Sequence, residues 1–290
     1  MLQTGATIAI VAPSGIFDPE RLNKSRLLLK QWGYNTVESP NLHAKHLFTA
    51  GTPKDRTNDF IWALDNQQID GIFFARGGYG TSHILPNLPY HDFPNTPIFG
   101  FSDATALMCA LWNSQKGTFV HSPVLHSLSD HPDDHTKSAL QSLMLTGRSP
   151  SLEGEPLCGP QTTVTGPIVG GNLCVITSLI GTPFQLQTDE TILLLEDLSE
   201  PPYKVHRMLT QLKMSGLLDK VVAIGLGEFL NCHPPNNKKW TLKDCFIDVL
   251  KPLKIPVIWK LPFGHGKRNT PWILGTKYTV SGGILHVEPN

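Results

Sequence analysis

The chain has no surplus of charge: 24 Lys and Arg stand against 24 Asp and Glu, so the formal net charge is zero. Nothing in that balance attracts nucleic acid or an anionic membrane, and neither is expected as a partner. Long apolar runs are missing too; none approaches the roughly 20 residues that span a bilayer. There is no CxxC pair among the five cysteines, Cys109, Cys158, Cys174, Cys232 and Cys245. Their odd number and wide spacing read as buried free thiols, not as disulfides or a zinc site. No basic residue precedes Arg21, so the N-terminus has no charged n-region, and Ala6–Ala12 reads as a strand instead of a signal peptide. A cytoplasmic location is the expectation. Internal repeats and low-complexity tracts are also absent.

What remains is a globular composition. Hydrophobic residues make up 40% of the 290 positions and charged residues 17%, enough apolar material for a core and too little charge for disorder. Short apolar runs alternate with helical patterns, the mark of parallel α/β architecture. Ala6–Ala12, Asp70–Ala75 and Pro97–Phe101 are expected strands, each ending in a Gly or Ser turn. Asp18 and Pro19 open a helix through Leu22, Leu28, Leu29 and Trp32, with Gly33 as its stop. A second helix follows from about Asp103 to Trp112. The Pro-, Gly- and Ser-rich stretch Thr146–Pro160 reads as a connection. The expected division is therefore a domain over 1–150, a linker over 151–165 and a domain over 166–290. In the second domain, strands are expected at Thr163–Val169, Thr191–Leu195, Lys220–Leu226, Ile255–Trp259 and Tyr278–Val280. Helices are expected at Asn172–Ile180, Pro201–Met214 and Leu242–Leu250.

Four segments have residues suited to chemistry. Gly100-Phe101-Ser102-Asp103-Ala104 joins a strand to a helix, and its small residues flank Ser102 as a nucleophile on a sharp turn requires. The same Ser-Asp pair is also an ordinary helix start. Arg76-Gly77-Gly78-Tyr79-Gly80 lets backbone approach a ligand closely, and Arg76 offers a guanidinium for a carboxylate. It matches neither a dinucleotide nor a Walker loop, and it also reads as a plain tight turn. Glu196, Asp197 and Glu200 gather carboxylates at a strand end, part of which must start the helix at Pro201. His265, between Gly264 and Gly266 just past a strand, is the best placed histidine for a general base. His121, His126, His131 and His135, with Asp130, Asp133 and Asp134, match no metal-ligand spacing. No metal and no cofactor is expected.

Together these segments resemble the LD-carboxypeptidase family, the muramoyltetrapeptide carboxypeptidases of bacterial cell-wall recycling. The resemblance runs in order through IAIVAPSG at Ile8–Gly15, ARGGYG at Ala75–Gly80 and GFSDATAL at Gly100–Leu107. It continues through GGNLCVITSLIGTPF at Gly170–Phe184, LLLEDLSEPPYKVHRML at Leu193–Leu209 and LPFGHGKRNTPWILG at Leu261–Gly275. It implies Ser102 as nucleophile, Glu196 as the acidic member and His265 as base, with the amides of Gly78 and Asp103 as oxyanion hole. It also implies two α/β domains, the first flavodoxin-like with a mostly parallel sheet and the second smaller, with the site in the cleft between them. A homodimer and a murein tetrapeptide substrate follow from the same resemblance. Arg76, with Gly77 beside it, is expected at the substrate's terminal carboxylate. Two other readings stay open. One is a microcin-immunity type of serine peptidase acting on a peptidyl-nucleotide, which Trp240, Trp259 and Trp272 keep in view. The other is a two-domain binding module without turnover.

Overall fold

The computed structural model describes residues 1–130, 132–234 and 239–288. Its first half forms β1 (Thr7–Val11), β2 (Asn35–Glu38), β3 (Gly71–Phe74), β4 (Pro97–Gly100) and β5 (Thr118–His121). These strands pair in parallel in the order β2-β1-β3-β4-β5. That is the order of a flavodoxin-like sheet, in which ligands meet the carboxyl ends of the strands. The crossovers are α1 (Pro19–Gln31), α2 (Pro53–Asp65), short 3-10 turns between Thr81 and Asp92, and α3 (Thr105–Ser114); the single turn α4 (Leu125–Leu128) and α5 (Asp134–Thr146) follow β5. The α1 helix starts as expected: the Asp18 side chain accepts from the Glu20 amide, and Gly33 follows the C-cap at φ +88°.

The second half contributes β6 (Leu152–Glu153), β7 (Glu155–Cys158), β8 (Val164–Asn172), β9 (Ile192–Leu198), β10 (Ala223–Leu230) and β11 (Val257–Trp259). It ends with β12 (Trp272–Ile273), β13 (Lys277–Ser281) and β14 (Ile284–Val287). Its helices are α6 (Leu173–Ser178), α7 (Pro202–Met214) and α8 (Leu242–Leu250). Strands β8 to β11 are parallel, and Leu193, Leu194 and Leu195 of β9 are wholly buried, as befits a strand covered on both faces. The remaining strands of this sheet pair antiparallel, in the order β6-β14-β13-β8-β9-β10-β11-β7.

Two features depart from the expected layout. The segment 151–165, expected as a linker, contains β6 and β7. Separated only by Gly154, these strands lie at opposite ends of the sheet order and curl it toward a barrel. Gly154 is needed there, because a Cβ would sit 2.5 Å from the Trp259 carbonyl oxygen. Strand β12, late in the chain, leaves the second sheet and pairs antiparallel with β5 of the first. The cysteines are free, but only Cys109 and Cys232 are buried; Cys174 is exposed. Among the described residues no helix is long and apolar enough to cross a membrane.

Candidate active site

Ser102 follows β4 after Phe101 and is held at φ +63°, a left-handed conformation that costs a non-glycine residue about 1–3 kcal/mol. The turn fits because its neighbours are small: a Cβ on Gly100 would meet the Ala104 Cβ at 3.2 Å. Asp103 locks the turn in place. Its buried carboxylate accepts from the Ser14 hydroxyl at 2.7 Å and the Thr81 amide at 2.8 Å, which ties the loops after β1, β3 and β4 together. Gly77 packs onto the serine, since a Cβ there would lie 3.0 Å from Ser102 Cβ and 3.1 Å from Oγ. Gly78 is at φ +112°, against Gly15. Asp103 sits in the first turn of the helical segment that leads into α3, where amides have no acceptor within the helix.

The second half meets the helix that follows the serine at Thr105. A Cβ on Gly171 of β8 would collide with the Thr105 hydroxyl at 2.5 Å, and the Asn172 amide donates to that hydroxyl at 2.9 Å. Glu196 extends from β9 with its side chain wholly buried. Its Oε2 accepts from His265 Nδ1 at 2.6 Å, and His265 Nε2 lies 3.0 Å from Ser102 Oγ. With the Nδ1 proton fixed by the carboxylate, Nε2 is free to accept the serine proton. Burial, the largest influence, lowers the His265 pKa. Glu196, by charge and hydrogen bond, then Asp197 and Glu228, outweigh it and hold the imidazole above its ordinary value. The histidine turn needs glycine: Gly264 is at φ +124°, and a Cβ there would lie 3.1 Å from Glu196 Oε2.

The serine and histidine open onto a cleft of about 670 Å3 whose walls include Arg76, Gly78, Asn172 and Glu200. Arg76 is exposed and donates to the Ile16 carbonyl. Glu200 lies further along, 3.4 Å from Lys204 one helical turn on. Asn172, read from the sequence only as a helix start, also bridges Glu196 Oε1 at 3.2 Å and Asp197 Oδ1 at 3.1 Å. Asp197 is buried, which lifts its carboxyl to about 6. Neither was singled out for this role, because an Asn at an N-cap position and an Asp beside a Glu are ordinary residues in sequence.

The His/Asp-rich stretch is dispersed. His121 is wholly buried and stacked on Trp272 at 4.7 Å; burial, with His265 nearby, pushes it down to about 3. His126 lines the cleft. Asp133 caps α5 and pairs with Arg268 at 2.6 Å, and Asp130 pairs with Arg21. His131 lies outside the described residues.

Two family models match: the LD-carboxypeptidase N-terminal domain over residues 8–122 and the LD-carboxypeptidase C-terminal domain over 165–280. The chain is a member of the LD-carboxypeptidase family of serine peptidases. It is 35% identical to a putative carboxypeptidase of Synechocystis over 97% of this chain and 93% of the relative. It is 29% identical to a murein tetrapeptide carboxypeptidase of Pseudomonas aeruginosa over 96% of this chain and 94% of the relative. The solved muramoyltetrapeptide carboxypeptidase from Oxalobacter formigenes superposes with a TM-score of 0.87 at 26% identity, covering 98% of this chain and 100% of that one. A structure of MccF in complex with glutamyl sulfamoyl guanosine also gives 0.87, at 22% identity, covering 99% of this chain and 97% of that one, which speaks to fold alone.

Proposed function

We propose that this carboxypeptidase releases the terminal D-alanine from murein tetrapeptides, with Ser102 as nucleophile, His265 as base and Glu196 as orienter. The observation behind it is the unbroken hydrogen-bonded chain from Glu196 through His265 to Ser102 at the wall of a cleft. His265 takes the Ser102 proton as Oγ attacks the scissile carbonyl, and Glu196 stabilises the imidazolium. The Gly78 and Asp103 amides receive the tetrahedral oxyanion, a contribution of about 2.7–4 kcal/mol per donor in other systems. The imidazolium then protonates the leaving amine, the terminal amino acid departs, and water attacks the acyl-serine by the same route. Arg76, beside Gly77, meets the substrate's terminal carboxylate with the guanidinium donors that Ile16 does not use. A cytoplasmic homodimer completes the reading, and sedimentation equilibrium measures the subunit count.

The deciding experiment is mass spectrometry of a murein tetrapeptide incubated with the protein. Loss of one D-alanine is expected. Ser102→Ala should remain folded and lose on the order of 10⁴–10⁶ in rate, and residual activity within about tenfold of the parent would reject Ser102 as nucleophile. Parallel incubation with a peptidyl-nucleotide tests the microcin-immunity reading. Against that reading, no tryptophan is among the described residues lining the cleft, and Trp272 is wholly buried. A protein that binds peptide and never cleaves it, and that resists a fluorophosphonate probe, is the binding module instead.

A further inference from the structure

The turn bearing His265 is held by glutamates of two neighbouring strands. One is Glu196 of β9, already bonded to Nδ1. The other is Glu228, near the end of β10. The Glu228 amide donates to the Phe263 carbonyl at 2.8 Å, which fixes the start of the turn. Its carboxylate lies over Gly266: a Cβ on that glycine would fall 1.5 Å from Oε2 and 2.2 Å from Cδ. The carboxylate therefore fills the space where any other residue at 266 would place its side chain. Glu228 is not among the residues lining the nucleophile's cleft. With Gly266 it lines a cavity of about 580 Å3, which shares Phe101, Leu230 and His265 with that cleft, and with Phe229 and Trp259 it lines one of about 740 Å3.

We infer that Glu228 is a positioning residue for the reaction proposed above: it seats the Gly264–Gly266 turn and adds, to the carboxylates of Glu196 and Asp197, a further negative charge that favours the His265 imidazolium.

The surroundings isolate this effect. The charged and titratable groups around His265 are Glu196 and Asp197 from β9, Glu228 from β10, His121 from β5, Asp103 after β4, and Lys267 and Arg268 in its own turn. Farther along the cleft lie Arg76, His126, Asp130 and Glu200. Asp103 is engaged by Ser14 and Thr81, Asp130 by Arg21, and Arg268 by Asp133. His121 is kept neutral by burial. The Glu228 carboxylate has no protein hydrogen bond among the described residues, so its charge is unshared. Burial and Glu196 raise its own pKa, and His265 opposes them, as expected for two groups that ionise together.

The test is an NMR titration of the histidine ring protons, with His265 assigned by its loss in His265→Gln. It needs no substrate, so it can fail while the peptidase reading stands, and the reverse. Removing a neighbouring negative charge makes imidazolium harder to form. Glu228→Gln should therefore titrate His265 lower by roughly 0.5–1 unit, the size expected of a partly solvated neighbour. In a peptide assay the ascending limb of kcat/KM should move the same way. Glu228→Asp, which keeps the charge, should stay near the parent. A folded Glu228→Gln whose His265 titrates at the parent's pH overturns the inference. Should that variant not fold, the parent decides: the Glu228 carboxyl carbon must show an inflection at the pH where His265 titrates, and its absence overturns the inference.

Discussion

At the scale of the residue, three side chains from distant parts of the sequence owe their alignment to neighbours that fit nowhere else. Ser102 keeps its left-handed backbone because Asp103 anchors the turn to Ser14 and Thr81, and His265 keeps its ring orientation because Glu196 is buried and cannot turn away. That burial has a consequence for pH. The net effect on His265 is a raised pKa, so the neutral imidazole is depleted at a pH where an ordinary imidazole is already deprotonated. kcat/KM should rise with pH through a limb above the ordinary imidazole range of about 6.5. The sign for stability is opposite. A histidine whose folded pKa exceeds its unfolded one stabilises fully below the unfolded value and loses that contribution as pH rises through the folded one. Activity should thus climb over the same window in which the melting temperature eases. A flat single-turnover profile from about pH 5 to 8 would argue against a histidine base.

At the scale of the element, the two glutamates of one motif part company. Strand β9 runs on to Leu198, past the expected end at Leu195, so Glu196 is an interior strand residue facing His265. Glu200 comes after Ser199, which breaks the strand at φ +58°, and pairs with Lys204 at the start of α7. Glu196→Gln should fold and lose about 10⁴ in kcat, as in the comparable serine-protease change. Glu200→Gln should cost about 0.3–1 kcal/mol of stability, and any kinetic change should fall in KM, because Glu200 lines the cleft without touching the Ser102–His265 pair. A dead Glu200→Gln beside an active Glu196→Gln would reverse the assignment. The elements themselves were unevenly legible. Helix α8 has the expected bounds, since the Thr241 capping box and its apolar face agree. Helix α2 was not anticipated, although Thr52, Pro53 and Asp55 form the same box, because its apolar residues crowd into Phe60–Leu64 and give no clear period. Strands β6 and β7 look like linker in the sequence because two- and four-residue strands with Gly and Pro carry turn chemistry. Their pairing is decided by partners about 100 or more residues away.

At the scale of the whole molecule, the ordered motifs in the sequence announced which residues meet, but not what keeps the two sheets in register. The chain from β11 to β13 crosses from the second sheet to the first and back, and His265 rides on the outward crossing. Strand β12 is the turning point. It is two residues long, and no periodicity reveals it. Trp272 pairs with His121 in the backbone and stacks on its ring at 6° between planes, with Phe263 edge-on at 6.1 Å. This stack lies behind Phe101 and His265, whose rings are 4.8 Å apart. Trp272→Ala should therefore do two things. Deleting a fully buried indole should cost about 3–5 kcal/mol of stability. At a temperature where the variant is still folded, kcat should fall more than KM rises, because the His265 turn loses its attachment to the sheet that carries Ser102, and small misplacements of a base are costly. Trp272→Phe should recover much of both. Chemical denaturation and steady-state kinetics on the three proteins separate the effects. If Trp272→Ala loses the stability but keeps the parent's kcat, the crossing strand is packing only, and the contact of β8 with α3 through Gly171 and Thr105 sets the register of the two halves on its own.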